Sequence, residues 1–289
     1  MSATVAKELF GRAGELFHDL IEGLASAVLG AKYTFVDPER FQVVLRRSPG
    51  EGMRIYWTET LERAHWAAAS NVLRHKRWLD ACLALYAPEA NYLGFAASLR
   101  GLLEAAADAY YSLSAVPRTL ADHHAMIEEA LSGSSTRFAL SEQLEDALIH
   151  FQFARRLTKG DPAPASHKAV TADTYLRAAD GPGRSNMRDL NAELCEVVHP
   201  AATSLLWMAA ESSASAALTS GHDKEWILAL SRKHARAIDA LHMQSVNASI
   251  LIFKVLNRFP LPALSVRAVD GINMEDVPMW SKIENAFQD

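Results

Sequence analysis

The sequence predicts an all-α fold, a single helical bundle of about eight or nine helices over residues 1–289. Apolar residues recur at three- and four-residue spacing through most of the chain. Glycine and proline fall mainly between these segments, and there is no solenoid repeat or sustained heptad seam. With 49% hydrophobic residues the chain can bury a full core, which excludes a disordered protein.

Charge, cysteine content and hydropathy exclude several classes of protein. The net charge of -5 disfavours nucleic-acid binding through bulk positive charge, but it does not exclude binding through a local basic patch. Cys82 and Cys195 are too few for a disulfide framework or a multi-cysteine zinc site. No apolar stretch has the length of a membrane span, and the N-terminus has no export pattern. We therefore expect a soluble cytoplasmic protein with no membrane partner.

The chain begins with a helix that an irregular segment follows. An apolar stripe predicts a helix over residues 4–29, and Gly30 is its stop. Within residues 31–57, Asp37 before Pro38 has the pattern of a helix N-cap, whereas Ser48–Gly52 between two apolar runs has that of a hairpin turn. We favour a short β-hairpin or non-helical excursion over residues 31–57.

The remaining helices are separated by proline, glycine and polar residues. They are predicted over residues 58–86, 88–114, 117–133, 139–158, 170–179, 185–199, 201–218 and 223–258. Residues 159–168 are rich in turn-forming residues and predict a flexible loop. Residues 259–289 lack a clean period, but Trp280 indicates a tail that docks on the body.

The helix over residues 89–114 is the most informative segment. It is apolar nearly all round, which places it in the middle of a bundle. Arg100, Glu104 and Asp108, its charged residues beyond the first turn, are spaced four apart and share one side. They form either an ordinary ion-paired strip at the surface or a polar line inside the bundle, where helical bundles build their sites.

Two patches carry a family resemblance. Residues 98–104 place an Arg and a Glu in an apolar helix, and residues 190–200 form a leucine-cysteine helix that ends in Val-His-Pro. Together, over about the middle half of the chain, they resemble uncharacterised bacterial all-helical proteins of the HEPN-like kind. The resemblance implies a bacterial defence or stress system, phage defence included, and a metal-independent ribonuclease that needs no cofactor. It also implies a homodimer with RNA as substrate, a His as acid/base or orienting group and an Arg that stabilises phosphate charge.

The HEPN ribonuclease motif is an Arg and a His with four to six residues between them. Arg12…His18, Arg118…His123, Arg118…His124 and Arg236…His242 meet this spacing, whereas His199 of the second patch has no Arg there. Arg236…His242 lies in a core-forming helix, and Arg118…His123 lies at a helix start, where backbone N–H groups can bind phosphate. The candidate catalytic residues are therefore Arg236, His242 and His199, and the candidate binding residues are Arg100, Glu104, Arg118 and His123.

Two other function classes stay open. A noncatalytic helical scaffold or partner-binding subunit, dimeric with itself or bound to another protein, fits the same composition. A ferritin-like metal-binding bundle is the other, because four carboxylate–histidine pairs lie one helical turn apart. These pairs are Glu15–His18, Glu62–His65, Glu196–His199 and Asp239–His242. We interpret His65, His75 and His234, which fall on apolar stripes, as hydrogen-bonded core histidines.

Overall fold

The structure, a computed structural model, describes residues 3–87, 89–135, 138–181, 185–200, 203–212, 215–218 and 221–288. The predicted all-α fold is confirmed. The helix count differs from the prediction, because two predicted helices are each divided into two, and Pro38–Arg47 and Pro278–Ala286 are helical where no helix was predicted. Across the described ranges the α-helices are α1 Ala3–Val28, α2 Pro38–Arg47, α3 Pro49–Tyr86, α4 Tyr92–Leu113, α5 Val116–Asp122, α6 His124–Leu131, α7 Glu142–Phe153, α8 Ala172–Asp180, α9 Met187–Val198, α10 Thr203–Leu206, α11 Asp223–Lys233, α12 Ala235–Leu256 and α13 Pro278–Ala286.

Short elements complete the described chain. Three 3₁₀ turns span Ala165–His167, Pro262–Leu264 and Arg267–Val269. Strands β1 (Ala209–Ser212) and β2 (Ser215–Leu218) pair antiparallel. Among the described helices, none combines the length and the apolar character that crossing a bilayer requires.

The chain divides into two compact units, and each is built from three separate segments. Unit 1 comprises Met1–Gly23, Val72–Tyr111 and Val170–Val246. Unit 2 comprises Leu24–Asn71, Ser112–Ala169 and Asn247–Asp289. No linker in the sequence marks these boundaries, and the single domain stays a prediction.

The hairpin favoured within residues 31–57 is wrong, because helices occupy most of this segment. Asp37 accepts hydrogen bonds from the backbone N–H groups of Glu39 (2.9 Å) and Arg40 (3.1 Å), so it caps α2 as its pattern indicates. A Cβ added at Gly52 would lie 2.5 Å from the Leu45 Cδ1 and 2.9 Å from its Cα. Gly52 is therefore a contact point between α2 and the first turn of α3, and it is not part of a hairpin turn.

Three predicted helices are also interrupted, and the one over residues 117–133 divides at His123 into α5 and α6. Most of residues 201–218 forms α10 and the strand pair in place of one continuous helix. The long helix predicted over residues 223–258 breaks between α11 and α12. His234 leaves helical geometry there (φ -108°, ψ 21°), and its Nε2 lies 2.7 Å from a carboxylate oxygen of Glu193 on α9.

Helix α4 runs through the interior, as its sequence predicts. Phe95, Leu99, Leu102 and Leu103 are fully buried. The charged side of the same helix is half-buried, and each charged group there has a partner. Asp108 accepts a hydrogen bond from Arg74 of α3 at 2.8 Å, and the remaining pair forms the site described next.

Candidate functional site

The two patches that carry the family resemblance meet in unit 1. The Nε of Arg100 donates to the Glu104 carboxylate at 2.9 Å, one turn along α4. The Nη1 of the same guanidinium lies 3.0 Å from the Nε2 of His199, ninety-nine residues further along the chain. Arg100 thus joins Glu104 to His199 in one hydrogen-bonded group, which we call the Arg-Glu-His group.

Local structure at the end of α9 fixes the position of His199. This residue is the C-cap of α9, where its backbone N–H bonds to the Cys195 carbonyl at 2.9 Å. Its backbone is extended (φ -85°, ψ 153°), the conformation favoured for a residue before proline, here Pro200. The imidazole therefore projects from the end of the helix, with the residue exposed to solvent.

The contact with Arg100 also fixes the tautomer of His199. A guanidinium has five N–H donors and no acceptor, so the Nε2 of His199 must accept the hydrogen bond. The imidazole is then neutral and carries its proton on Nδ1. The side chains of Arg100 and Glu104 are 26% and 37% exposed, so a ligand from solvent can reach the group.

Arg236 and His242 are not brought together within this chain. Six residues separate them on α12, which puts their side chains about 120° apart around the helix axis. Arg236 is exposed, whereas His242 is fully buried among His75, Phe10 and Phe17. The spacing motif is met in sequence, but the two side chains face different environments.

Arg118 and His123 lie in unit 2, at α5. The Arg118 guanidinium pairs with Asp122 (2.8 Å from Nε to Oδ2) and donates to the backbone carbonyl of Lys282 on α13. His123 is half-buried, with its ring 6.2 Å from that of Trp57. Because the guanidinium is occupied by an internal carboxylate and a carbonyl, this pair is less available to a phosphate than its spacing indicates.

The histidines interpreted as hydrogen-bonded core residues are buried and hydrogen-bonded. His65 bonds to the Tyr33 hydroxyl at 2.7 Å, and His75 bonds to Ser245 (3.1 Å) and to His242 (2.9 Å). Burial lowers the pKa of His65 and of His242 to about 4.

In the described part of the chain, no group of three or more His, Cys, Asp or Glu residues is placed to hold a metal ion. The described residues therefore provide no ligand set for the ferritin-like metal-binding alternative.

A cleft that the sequence analysis missed lies in unit 1. It has a volume of about 420 Å³ and is lined mainly by Tyr92, Glu193, Glu196, Trp207, Trp226 and Lys233. These residues come from α4, α9, α11 and the turn after α10. Their sequence separations follow no motif, and single aromatic residues in helical stripes are explained equally well by packing.

Comparisons with known proteins give no assignment. No protein-family model matches the chain, and no curated protein or solved structure matches it either.

Proposed function

We propose that this protein is a HEPN-like metal-independent ribonuclease of a bacterial defence or stress system, with its site at the Arg-Glu-His group. One observation supports the proposal above all: Arg100 and His199, which belong to the two patches of the resemblance, converge at 3.0 Å in a place that solvent reaches. An arginine beside a neutral imidazole supplies the two functions that phosphodiester cleavage needs, phosphate binding and proton transfer.

The chemistry follows from the hydrogen bonds. An RNA phosphate that binds the Arg100 guanidinium displaces the imidazole from Nη1 and frees the Nε2 lone pair of His199. That nitrogen takes the proton of the ribose 2′-hydroxyl while the 2′-oxygen forms a bond to phosphorus. The bond from phosphorus to the 5′-oxygen breaks, and the imidazolium returns the proton to that leaving oxygen. Glu104 holds the guanidinium in place and does not touch the reacting atoms.

The test is cleavage of a labelled single-stranded RNA by purified protein in the presence of a chelator. His199→Ala removes the base, and we expect the rate to fall by about 10²–10⁴-fold. Arg100→Ala removes the phosphate ligand, with an expected loss of about 10²–10³-fold. Both variants should fold, because His199 is exposed and an in-helix ion pair that solvent reaches contributes only about 0.3–0.5 kcal/mol.

A matched control is Arg177→Ala, which breaks another in-helix pair of unit 1, the 2.7 Å contact between Arg177 and Asp173. This variant should cleave RNA at the wild-type rate. If wild-type protein cleaves neither single-stranded nor structured RNA, the nuclease proposal is wrong and the noncatalytic partner-binding alternative takes its place. The mass of the particle, measured by light scattering in the same preparation, tests the proposed homodimer.

A further inference from the structure

The cleft of unit 1 has aromatic walls. The ring of Tyr92 lies 5.8 Å from that of Trp207, edge-on at 75°, and 6.2 Å from that of Trp226, tilted by 31°. Trp226 is 45% exposed, an unusual position for so large an apolar side chain, and it forms part of the rim. The faces of such rings attract cations through their quadrupole.

The charges in the cleft leave an excess of negative charge. Two of the lining residues are carboxylates, Glu193 and Glu196, and one is an ammonium, Lys233. Lys233 is held by Glu193 at 2.6 Å, so these two charges compensate each other. Among the described residues the Glu196 carboxylate has no hydrogen-bond or ion-pair partner, which leaves one uncompensated negative charge at the aromatic walls.

Two other groups of the cleft lining have shifted pKa values. Burial acts to raise the pKa of Glu193, but hydrogen bonds from Lys233 and His234 outweigh it and hold the pKa below its ordinary value. Burial, with a smaller contribution from the Glu193 charge, raises the pKa of Tyr92 to about 12, so its hydroxyl stays protonated. The Nε1 of Trp207 is buried with no acceptor among the described residues, and it adds one unused hydrogen-bond donor to the lining.

We propose that this cleft binds a small organic cation of the alkylammonium class, with the cationic group between the aromatic rings and the Glu196 carboxylate. The volume of about 420 Å³ lies in the range of small-molecule sites. An anionic ligand is disfavoured, because Lys233, the one ammonium among the described residues of the lining, is already paired with Glu193. This site shares no residue with the Arg-Glu-His group, so it does not depend on the ribonuclease proposal.

The experiment is isothermal titration of the full chain with choline and with its neutral carbon isostere, 3,3-dimethylbutan-1-ol. The two probes have nearly the same shape and differ in charge, so a preference for choline reports recognition of the cation. Trp226→Ala should weaken choline binding by about threefold to thirtyfold. Glu196→Gln should weaken choline binding by about threefold to tenfold. It should also reduce the dependence of this binding on salt, because dissolved ions screen the attraction between the carboxylate and the cation.

Asp189→Asn is the matched control, since Asp189 is another exposed carboxylate of α9 and does not line the cleft. It should bind choline as the wild type does, and so should His199→Ala, which separates this site from the ribonuclease site. Glu196 is exposed, so its substitution is compatible with folding. Equal affinity for the two probes, or no saturable binding of choline at millimolar concentrations, would overturn the proposal.

Discussion

The buried pair of His75 and His242 in unit 1 predicts that the protein loses stability in mild acid. The Nε2 of His75 lies 2.9 Å from the Nδ1 of His242, and the Nδ1 of His75 bonds to Ser245. Burial lowers the pKa of His242 to about 4. Burial also lowers the pKa of His75, and the neighbouring His242 and Arg74 add to that effect. Both imidazoles are therefore neutral in the folded protein near neutral pH.

The sign and size of the effect follow from proton binding. In the unfolded chain a histidine has a pKa of about 6.5, so between about pH 6.5 and pH 4 the unfolded state binds more protons than the folded state. Stability must then fall as the pH falls through this window. For His242, with a folded pKa of about 4, the loss between about pH 7 and pH 5 is about 2 kcal/mol. His75 adds a loss of the same sign.

The assay is urea unfolding followed by far-UV circular dichroism at about pH 7 and about pH 5. His242→Gln removes one titrating group from the buried pair. Its stability should therefore differ between the two pH values by about 2 kcal/mol less than that of the wild type. His222→Gln, which replaces an exposed histidine outside the buried pair, serves as the comparison variant. An identical pH dependence in His242→Gln and wild-type protein would refute the reasoning, because the shared carboxylate contributions cancel in that comparison.

Three further predictions concern the stability of the folded protein, and each is measured by urea unfolding. Gly52→Ala should destabilise the protein by about 1–3 kcal/mol, because its Cβ would meet the Leu45 backbone, whereas Gly23→Ala, which has open space, should not. Asp37→Ala should cost about 1 kcal/mol through loss of the α2 cap, and Asp37→Asn should restore most of it. Leu102→Ala, at a fully buried position of α4, should cost about 2–5 kcal/mol, and an unchanged stability would contradict this expectation.

Local sequence was most informative where a single capping residue or an apolar stripe along one helix determines the secondary structure. The apolar periods of α1 and α4 predicted helices that the structure contains, and the N-cap pattern at Asp37 predicted the start of α2. The hairpin preferred for residues 31–57 was wrong because the two glycines after Pro49 were taken as turn residues. At Gly52 the small side chain instead permits a close contact with Leu45, which sequence patterns do not distinguish from a turn.

The candidate sites were accessible to sequence reasoning only in part. Arg100, Glu104 and His199 were each chosen from the two short patches. No spacing rule predicted that His199 would contact Arg100. The choice of Arg236 with His242 rested on their spacing and on their place in a core-forming helix, and neither feature tells an exposed side chain from a buried one. The aromatic cleft gave no signal, since its rings are isolated in the chain and become a site only through their mutual distances.

The chain by itself determined that helices form and which of their faces are apolar, because periodicity and capping act over a few residues. Tertiary structure alone decided that the His199 imidazole accepts a hydrogen bond from Arg100, that His242 is buried away from water, and that Tyr92 and Trp226 line one cleft with Glu196. The physical reason is that hydrogen bonds and charges act over a few ångströms of space, and folding brings together groups that the sequence places about a hundred residues apart.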